Sequence, residues 1–131
     1  MSALTDEVRE LVGKKIFAHV ATLMPDGSPQ SSPVWVDLQG DEIRFNTAEG
    51  RTKTRNVRND PRVALSFTDP DNPYAGVSVR GTVTEITPAE ADAHIDDLAK
   101  KYLGQDTYPY RQPDEERLIV HVRPESVSSI P

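Results

Sequence analysis

The sequence predicts a mainly β protein, namely a small antiparallel β-barrel to which helices are attached. Six segments have the alternating or β-branched composition of strands, and three others have the signals of helices. The predicted order is helix, three strands, helix, two strands, helix, strand, and short turns join the first three strands. Short turns imply antiparallel pairing, which favours a barrel over a parallel sheet with crossover helices. The 131 residues fit one domain over 1–131.

The first half of the chain is predicted to hold one helix and three strands. Apolar residues recur on one face of the helix, and Gly13 ends it. Pro25 and Gly27 mark the first turn between strands, because proline sets φ and glycine tolerates positive φ. Gly40 marks the second turn. The helix covers 4–13, and the strands cover 16–23, 30–37 and 42–47.

The second half is predicted to hold two helices and three strands. The basic segment 51–62 forms a short helix that ends near Asp60. Thr87 caps the last helix in a capping box with Glu90, and Gly104 ends it. Gly81 indicates a bulge or a close backbone approach. The strands cover 63–68, 77–86 and 118–122, and the loops cover 69–76 and 105–116.

The charge distribution predicts a small anionic partner rather than a nucleic acid. The chain carries a net charge of −6, which disfavours binding to phosphate backbones. Segment 51–62 nevertheless holds five basic residues and one acid, and a compact anion such as a phosphate is its simplest partner. Cysteine is absent, which excludes disulfides, thiolate metal sites and thiol nucleophiles. No stretch has the pattern of a secretory signal or a membrane helix, so we expect a cytoplasmic protein without a membrane partner.

Motifs of the common enzyme classes are missing from the sequence. It contains neither a glycine-rich dinucleotide or P-loop motif nor HExxH or G-x-S-x-G. His19, His94 and His121 lie far apart without metal-ligand spacing. We expect no metal, and we expect each histidine to be structural or solvent-facing, with His94 on an exposed helix.

Segment 46–56 is the strongest candidate site. Asn46 and Thr47 end a strand, Gly50 allows a turn, and a helix start then presents free backbone N–H groups. Arg51 and Lys53 add charge at the same point, where a guanidinium fork and an ammonium suit phosphate oxygens. The alternative is a solubilising basic helix face that pairs with the acidic remainder of the chain.

Four blocks of sequence follow one another along most of the chain: ATLMPDGSPQSSPVWVD (21–37), FNTAEGRTKTRNVRNDPRVALSF (45–67), VRGTVTEIT (79–87) and DAHIDDLAKKYLG (92–104). Together they resemble the FMN-binding split-barrel superfamily, the pyridoxamine 5′-phosphate oxidase-like proteins. More narrowly, they are similar to the actinobacterial branch of coenzyme F420 (deazaflavin) dependent reductases.

The resemblance implies a six-stranded split barrel that forms a homodimer, with cofactor sites at the interface. It implies that the phosphate-bearing tail of the cofactor contacts Asn46, Thr47, Arg51 and Lys53, with Arg55 and Asn56 nearby. It implies that the ring lies near Val20, Ala21, Thr22, Gln30, Ser32, Pro33 and Val34. It also implies that the loop 72–76, with Tyr74, closes over the ring from the other subunit.

The implied activity is hydride transfer from reduced F420 to an unsaturated small-molecule acceptor of the enone, quinone-like or tetrapyrrole class. The long polyanionic tail of F420 suits the basic run of segment 51–62. The alternatives are an FMN-binding flavin reductase or oxidase of the same fold, and a non-catalytic module that binds F420 or a tetrapyrrole. Because the chain ends soon after its last predicted strand, we do not expect vitamin B6 oxidation.

Three aromatic residues have two interpretations each. Trp35 belongs either to the barrel core or interface, or to the lining of a substrate pocket. Tyr108 and Tyr110 either anchor the loop before the last strand or line the mouth of the site.

Overall fold

The computed structural model describes residues 3–130, and this range holds seven strands and three helices. The elements are α1 (Asp6–Val12), β1 (Ala18–Leu23), β2 (Pro29–Val34), β3 (Val36–Gln39), β4 (Glu42–Ala48), α2 (Thr52–Asn59), β5 (Arg62–Asp69), β6 (Asn72–Thr87), α3 (Ala91–Leu103) and β7 (Arg117–Ile130). All the strand pairs are antiparallel. The predicted mainly β class is confirmed.

The sheet is forced to curl because its two edge strands are consecutive in the chain. The strand order is β2-β1-β5-β6-β7-β4-β3, so β2 and β3 lie at opposite edges. Only Trp35 separates them, since β2 ends at Val34 and β3 begins at Val36. Two edges that share a chain connection of one residue must meet there, which closes the sheet into a split barrel.

The single strand predicted over 30–37 is therefore wrong, and the strand count is seven rather than six. Val34 pairs with Ala18 of β1, whereas Val36 pairs with Phe45 of β4. The chain changes partner at Trp35 without a turn residue. Both halves keep a strand-like composition, so local sequence carries no signal for the break.

The interior of the barrel is filled by the inward faces of the strands. Strand β4 contributes Ile43 and Phe45, which alternate along the strand and are fully buried. Helix α1 packs against β3, α2 packs against β1, and α3 lies across β4 and β7. Thr5 caps α1 through a hydrogen bond from the backbone N–H of Val8, and the helix ends before Gly13 as predicted.

The hairpin between β5 and β6 is tighter than the sequence suggests. The loop predicted over 69–76 is wrong, because Asp69 already pairs with Asn72 and the following residues belong to β6. Strand β7 is also longer than the predicted 118–122, since it pairs with β6 as far as Ile130. Gly81 lies at a register shift between these strands, where a Cβ atom would collide with the carbonyl oxygen of Arg123. This confirms the predicted close approach.

Helix α3 begins later than the capping box predicts. Thr87 Oγ1 accepts a hydrogen bond from the N–H of Ala89, and Glu90 adopts a left-handed φ of 64°, so helical geometry starts at Ala91. His94 lies on this helix as predicted, and of the two expected roles, structural or solvent-facing, it has the structural one. Its side chain faces the barrel and the residue is 3% exposed, because α3 lies across β4 and β7 with this face inward.

Hydrogen bonds of Tyr102 connect α3 to the point where the two edges of the sheet meet. Its hydroxyl donates to the carbonyl oxygen of Ile16 at 2.6 Å and accepts from the N–H of Val36 at 3.2 Å. Lys101 reinforces the contact by donating to the carbonyl oxygens of Val12 and Val36. The bonds at Val36 satisfy backbone groups that β3, as an edge strand, leaves without a ladder partner, and the bonds to Ile16 and Val12 tie α3 to the segment that leads from α1 into β1.

Replacing Tyr102 with Phe should lower the free energy of unfolding by about 1–3 kcal/mol, because buried backbone groups lose their partner. Urea unfolding followed by circular dichroism measures the loss. Tyr110→Phe is the matched control, since Tyr110 is 62% exposed and its hydroxyl makes no hydrogen bond to any described residue. Equal stability of the two variants would contradict the role assigned to the Tyr102 hydroxyl.

Candidate functional site

A cavity of about 230 Å³ opens where the end of β2 meets β4, α2, α3 and the loop before β7. One part of its wall is aromatic or aliphatic, and another part carries three cations and an amide. The lining residues are Phe17, Pro33, Val34, Trp35, Ile95, Leu98, Tyr108 and Tyr110, together with Asn46, Arg51, Lys53 and Arg117.

The turn from β4 into α2 brings two of the cations to the cavity. Gly50 has a φ of 85°, a left-handed value that glycine adopts without strain, and it turns the chain out of the sheet. Arg51 then occupies the N-cap of α2, and Lys53 follows in the first turn. Both positive side chains therefore stand at the positive end of the helix dipole, which is unfavourable unless an anion compensates them.

Lys53 has no compensating partner among the residues that the structure describes. Its ammonium group makes no hydrogen bond or ion pair with any residue in the described range 3–130. Burial lowers the pKa of this ammonium, and the nearby charges of Arg51 and Arg117 lower it further. Keeping a half-buried cation beside other cations costs free energy, and binding of an anionic ligand would reduce that cost.

Arg117 is the charged residue of the cavity wall that the sequence did not predict. It begins β7, is 8% exposed, and donates from Nε to Glu115 Oε1 at 2.7 Å. Its Nη1 atom donates to Asn46 Oδ1 at 3.3 Å, and its guanidinium lies 4.9 Å from the centre of the Tyr108 ring. A basic residue directly before an apolar strand, next to two acids, was the available signal.

Glu115 neutralises only part of this charge. Besides Arg117, its carboxylate lies 3.5 Å from Arg51 Nη2. Three cations against this one carboxylate leave two positive charges uncompensated at the cavity wall. The donor set thus suits a phosphate-like group.

The aromatic part of the wall is a connected stack. The rings of Trp35 and Tyr102 lie parallel, with centroids 5.1 Å apart and planes 7° apart. Tyr108 meets Trp35 edge-on at 5.9 Å, and Tyr110 meets Tyr108 at 5.7 Å. Both interpretations of Trp35 therefore apply, since its ring packs on Tyr102 and also lines the cavity. Tyr108 and Tyr110 both line the mouth.

The predicted cofactor residues are not all brought together. The cavity wall includes Pro33, Val34, Asn46, Arg51 and Lys53. Ala21 and Thr22 instead line a second cavity of about 380 Å³ beside β5 and β6.

The remaining predicted residues line neither cavity, and most have partners within the fold. Asn56 donates to Thr22 Oγ1 at 3.0 Å, and Thr22 Oγ1 donates to Gln30 at 3.2 Å, so these side chains tie α2 to β1 and β2. The positions of the others differ. Val20 is buried in the core, and Thr47 forms a hydrogen bond with Thr54. Arg55 is exposed and donates to the carbonyl oxygen of Gly50, whereas Ser32 Oγ is buried without a partner among the described residues. Tyr74, in β6, is 82% exposed.

Two kinds of feature are absent from the described residues. None of the three helices has the length and apolar character needed to cross a bilayer. Within the same residues, no group of three or more His, Asp or Glu side chains is arranged to hold a metal ion. The cavity instead combines cations with stacked rings, an arrangement that suits a ligand joining an anionic group to a planar ring.

Comparisons with known proteins show which family this chain is similar to. The family model described as pyridoxamine 5′-phosphate oxidase matches residues 4–130. The chain is 35% identical to a solved structure named F420 reductase, with a TM-score of 0.83 over 95% of this chain and 98% of that chain. It is 25% identical to the conserved hypothetical protein Rv2991 from Mycobacterium tuberculosis, with a TM-score of 0.77 over 97% and 84%. The General Stress Protein 26 of Bacillus anthracis shares the fold at 14% identity, with a TM-score of 0.67 over 92% and 88%.

These comparisons confirm the resemblance found in the four sequence blocks, including its F420 reductase branch. Because the family model covers almost the whole length, the chain belongs to the pyridoxamine 5′-phosphate oxidase family.

Proposed function

We propose that the protein is an oxidoreductase that uses reduced coenzyme F420 to transfer a hydride to an unsaturated organic acceptor of the enone, quinone-like or tetrapyrrole class. The observation that carries the proposal is the uncompensated positive charge at Lys53, beside Arg51 and Arg117. The likeness to a protein named F420 reductase supports the choice of cofactor.

In this proposal the chain binds and shields the cofactor. Arg51, Lys53 and Arg117 hold its anionic tail by charge-assisted hydrogen bonds, and Asn46 fixes the orientation of Arg117. The rings of Trp35 and Tyr108 exclude water from one side of the site. When bound, reduced F420 supplies the hydride. The protein supplies orientation and electrostatics, so the proposal requires no catalytic side chain.

FMN is a second candidate for a specific reason. Two uncompensated positive charges match a single phosphate dianion, so the cavity does not demand the longer tail of F420. The protein would then be a flavin reductase or oxidase of the same fold. Reduced FMN reacts with oxygen whereas the reduced deazaflavin hardly does, so oxygen consumption during turnover separates the two.

We further propose that the protein is a homodimer that pairs through the outer face of β1, β2, β5 and β6. In this face Ala21 lies between Ser31 and Ala64 in the cross-strand register. The same row continues from Ala64 to Arg80, and the next row holds Pro33, His19, Ser66 and Ser78. The alanine and serine side chains of these rows are small enough for a second sheet to approach closely. In such a dimer the exposed Tyr74 reaches toward the partner's site, and that contact stays a prediction.

Titration of the purified protein with oxidised F420 and, separately, with FMN should show saturable micromolar or tighter binding of F420 and weaker binding of FMN. Ligand fluorescence measures both. The reverse preference would replace F420 with FMN. Tight F420 binding without reduction of any acceptor in an enone, quinone and tetrapyrrole panel would indicate a non-catalytic binding module.

Replacing Lys53 with Ala should raise the Kd for F420 by about 10-fold to 100-fold, because one charge-assisted hydrogen bond contributes about 1.5–3 kcal/mol. Lys53→Arg should keep most of the affinity. The Lys53→Arg variant should also keep its affinity to a higher pH. The pKa of Lys53 is lowered, so the wild-type site loses this charge as the pH rises.

Lys100→Ala is the matched control, because this lysine is exposed on α3 and lies outside the cavity lining. It should bind F420 as the wild type does. An unchanged Kd in a folded Lys53→Ala protein would remove Lys53 from the site.

Replacing Ala64 with Glu should convert the dimer to a monomer, because the longer side chain and its ion pair with the cross-strand neighbour Arg80 would lose their water between the two sheets. Light scattering after size-exclusion chromatography measures the mass. Ala89→Glu, in the exposed turn before α3, should remain dimeric. A monomeric wild-type protein would refute the proposed assembly.

A further inference from the structure

A chain of hydrogen bonds runs from the cavity through the interior to the far side of α3. It links the cavity wall to a buried imidazole and then to an ion pair. The bonds are Arg117 Nη1 to Asn46 Oδ1 at 3.3 Å, Asn46 Nδ2 to His94 Nδ1 at 3.1 Å, His94 Nε2 to Asp37 Oδ2 at 3.1 Å, and the two-pronged Arg44–Asp37 pair at 2.8 and 2.9 Å.

The orientation of the Asn46 amide is set by two partners that have one role each. The carbonyl oxygen of Ala91 lies 2.9 Å from Nδ2 and can only accept. Arg117, on the other side, can only donate. Nδ2 must therefore face Ala91 and His94, and Oδ1 must face Arg117.

This orientation decides where His94 carries its proton. Because Asn46 Nδ2 donates toward Nδ1, the imidazole must accept at Nδ1 and carry its proton on Nε2, from which it donates to Asp37. The neutral ring in this tautomer satisfies every member of the network.

The protonated ring does not satisfy the network. An imidazolium donates from both nitrogens, so two donors would face each other between His94 and Asn46. Rotating the amide by 180° would place Oδ1 against the carbonyl of Ala91 and Nδ2 against Arg117. Either arrangement breaks a buried hydrogen bond next to the cavity.

We propose that His94 is a positioning residue of the cavity: its neutral form holds Asn46 against Arg117 in the arrangement that binds an anion, and its protonation breaks that contact while Glu115 keeps its bond to Arg117 Nε. The proposal deepens the proposed function and rests on it, because it takes the cavity to bind the anionic tail of the cofactor.

The charged groups around His94 attract or repel a positive charge on its ring. Asp37 of β3 attracts an imidazolium, and Arg44 of β4 and Lys101 of α3 offset part of that attraction. Burial raises the pKa of Asp37, but hydrogen bonds from His94 and Arg44 outweigh it and the pKa lies below its ordinary value. On the α1 side, Arg9 shares a small cavity with Asp37 and is paired with Asp41, and Arg117 lies beyond Asn46.

The electrostatic field and the positioning role therefore predict opposite effects of His94 protonation on the affinity for an anion. An added positive charge on His94 would strengthen anion binding if only the electrostatic field acted. If His94 acts through Asn46 and Arg117, its protonation weakens binding. The pH profile of affinity distinguishes these two roles.

The experiment measures the Kd of oxidised F420 from about pH 8 to about pH 5, the range in which histidine titrates, for the wild type and His94→Gln. The glutamine carbonyl can accept from Asn46 and its amide can donate to Asp37, but it does not titrate. The wild type should lose about tenfold or more in affinity toward acid pH relative to this variant. The comparison cancels the titration of the ligand itself.

A wild-type affinity that rises toward acid pH relative to His94→Gln would overturn the proposal. So would parallel pH profiles of the two proteins. His94→Phe, which removes both bonds, should bind weakly at every pH. Circular dichroism checks its folding, and wild-type affinity in a folded His94→Phe protein would also overturn the proposal.

Nuclear magnetic resonance of the protein without cofactor tests the network directly. Long-range ¹H–¹⁵N spectra should show His94 with its proton on Nε2, and the signal of Arg117 Nη1–H, which donates to Asn46, should shift with the same midpoint as the imidazole. The opposite tautomer, or an Arg117 signal that ignores the titration, would refute the positioning role. If the wild type binds no F420 at any pH, the proposed function fails while this spectrum still decides the role of His94.

Discussion

The passage of the chain from one edge of the sheet to the other at Trp35 is the constraint on which the rest of the structure depends. Strands β2 and β3 lie at opposite ends of the strand order, yet one residue joins them. The sheet has to curl until its edges meet, and its interior becomes the core. Tyr102 of α3 then satisfies the backbone of Val36 at that junction. Closure of the barrel and docking of α3 are thus one event.

The candidate site is a consequence of this closure. The Trp35 side chain stacks on Tyr102 and meets Tyr108, so the residue that joins the edges also forms the aromatic wall of the cavity. The turn at Gly50 delivers Arg51 and Lys53 to the same place from α2. A packed junction beside uncompensated charge gives a rigid, partly dry position for an anion, where electrostatic interactions are stronger than in water.

Buried polar groups connect this position to the remainder of the fold. Asn46, His94 and Arg117 are each less than a tenth exposed, and each finds hydrogen-bond partners in a neighbouring element. Burying such groups without partners would cost more than their bonds contribute, so the network favours one arrangement of α3 on the sheet. Stability of the barrel and the shape of the candidate site consequently depend on the same side chains.

The sequence alone determined what depends on local pattern. Alternation predicted the mainly β class, glycine and the basic run predicted the turn into α2 with Arg51 and Lys53, and Gly81 predicted the close strand approach. Only the tertiary structure decided which distant segments meet. Pairing of β4 with β7 sets Ala48 opposite Arg117, and packing of α3 buries His94 against Asn46. The break at Trp35 belongs to the same group. Strand composition reports that a segment is extended and half-buried, but the choice of partner follows from the closure of the whole sheet, which no local window contains.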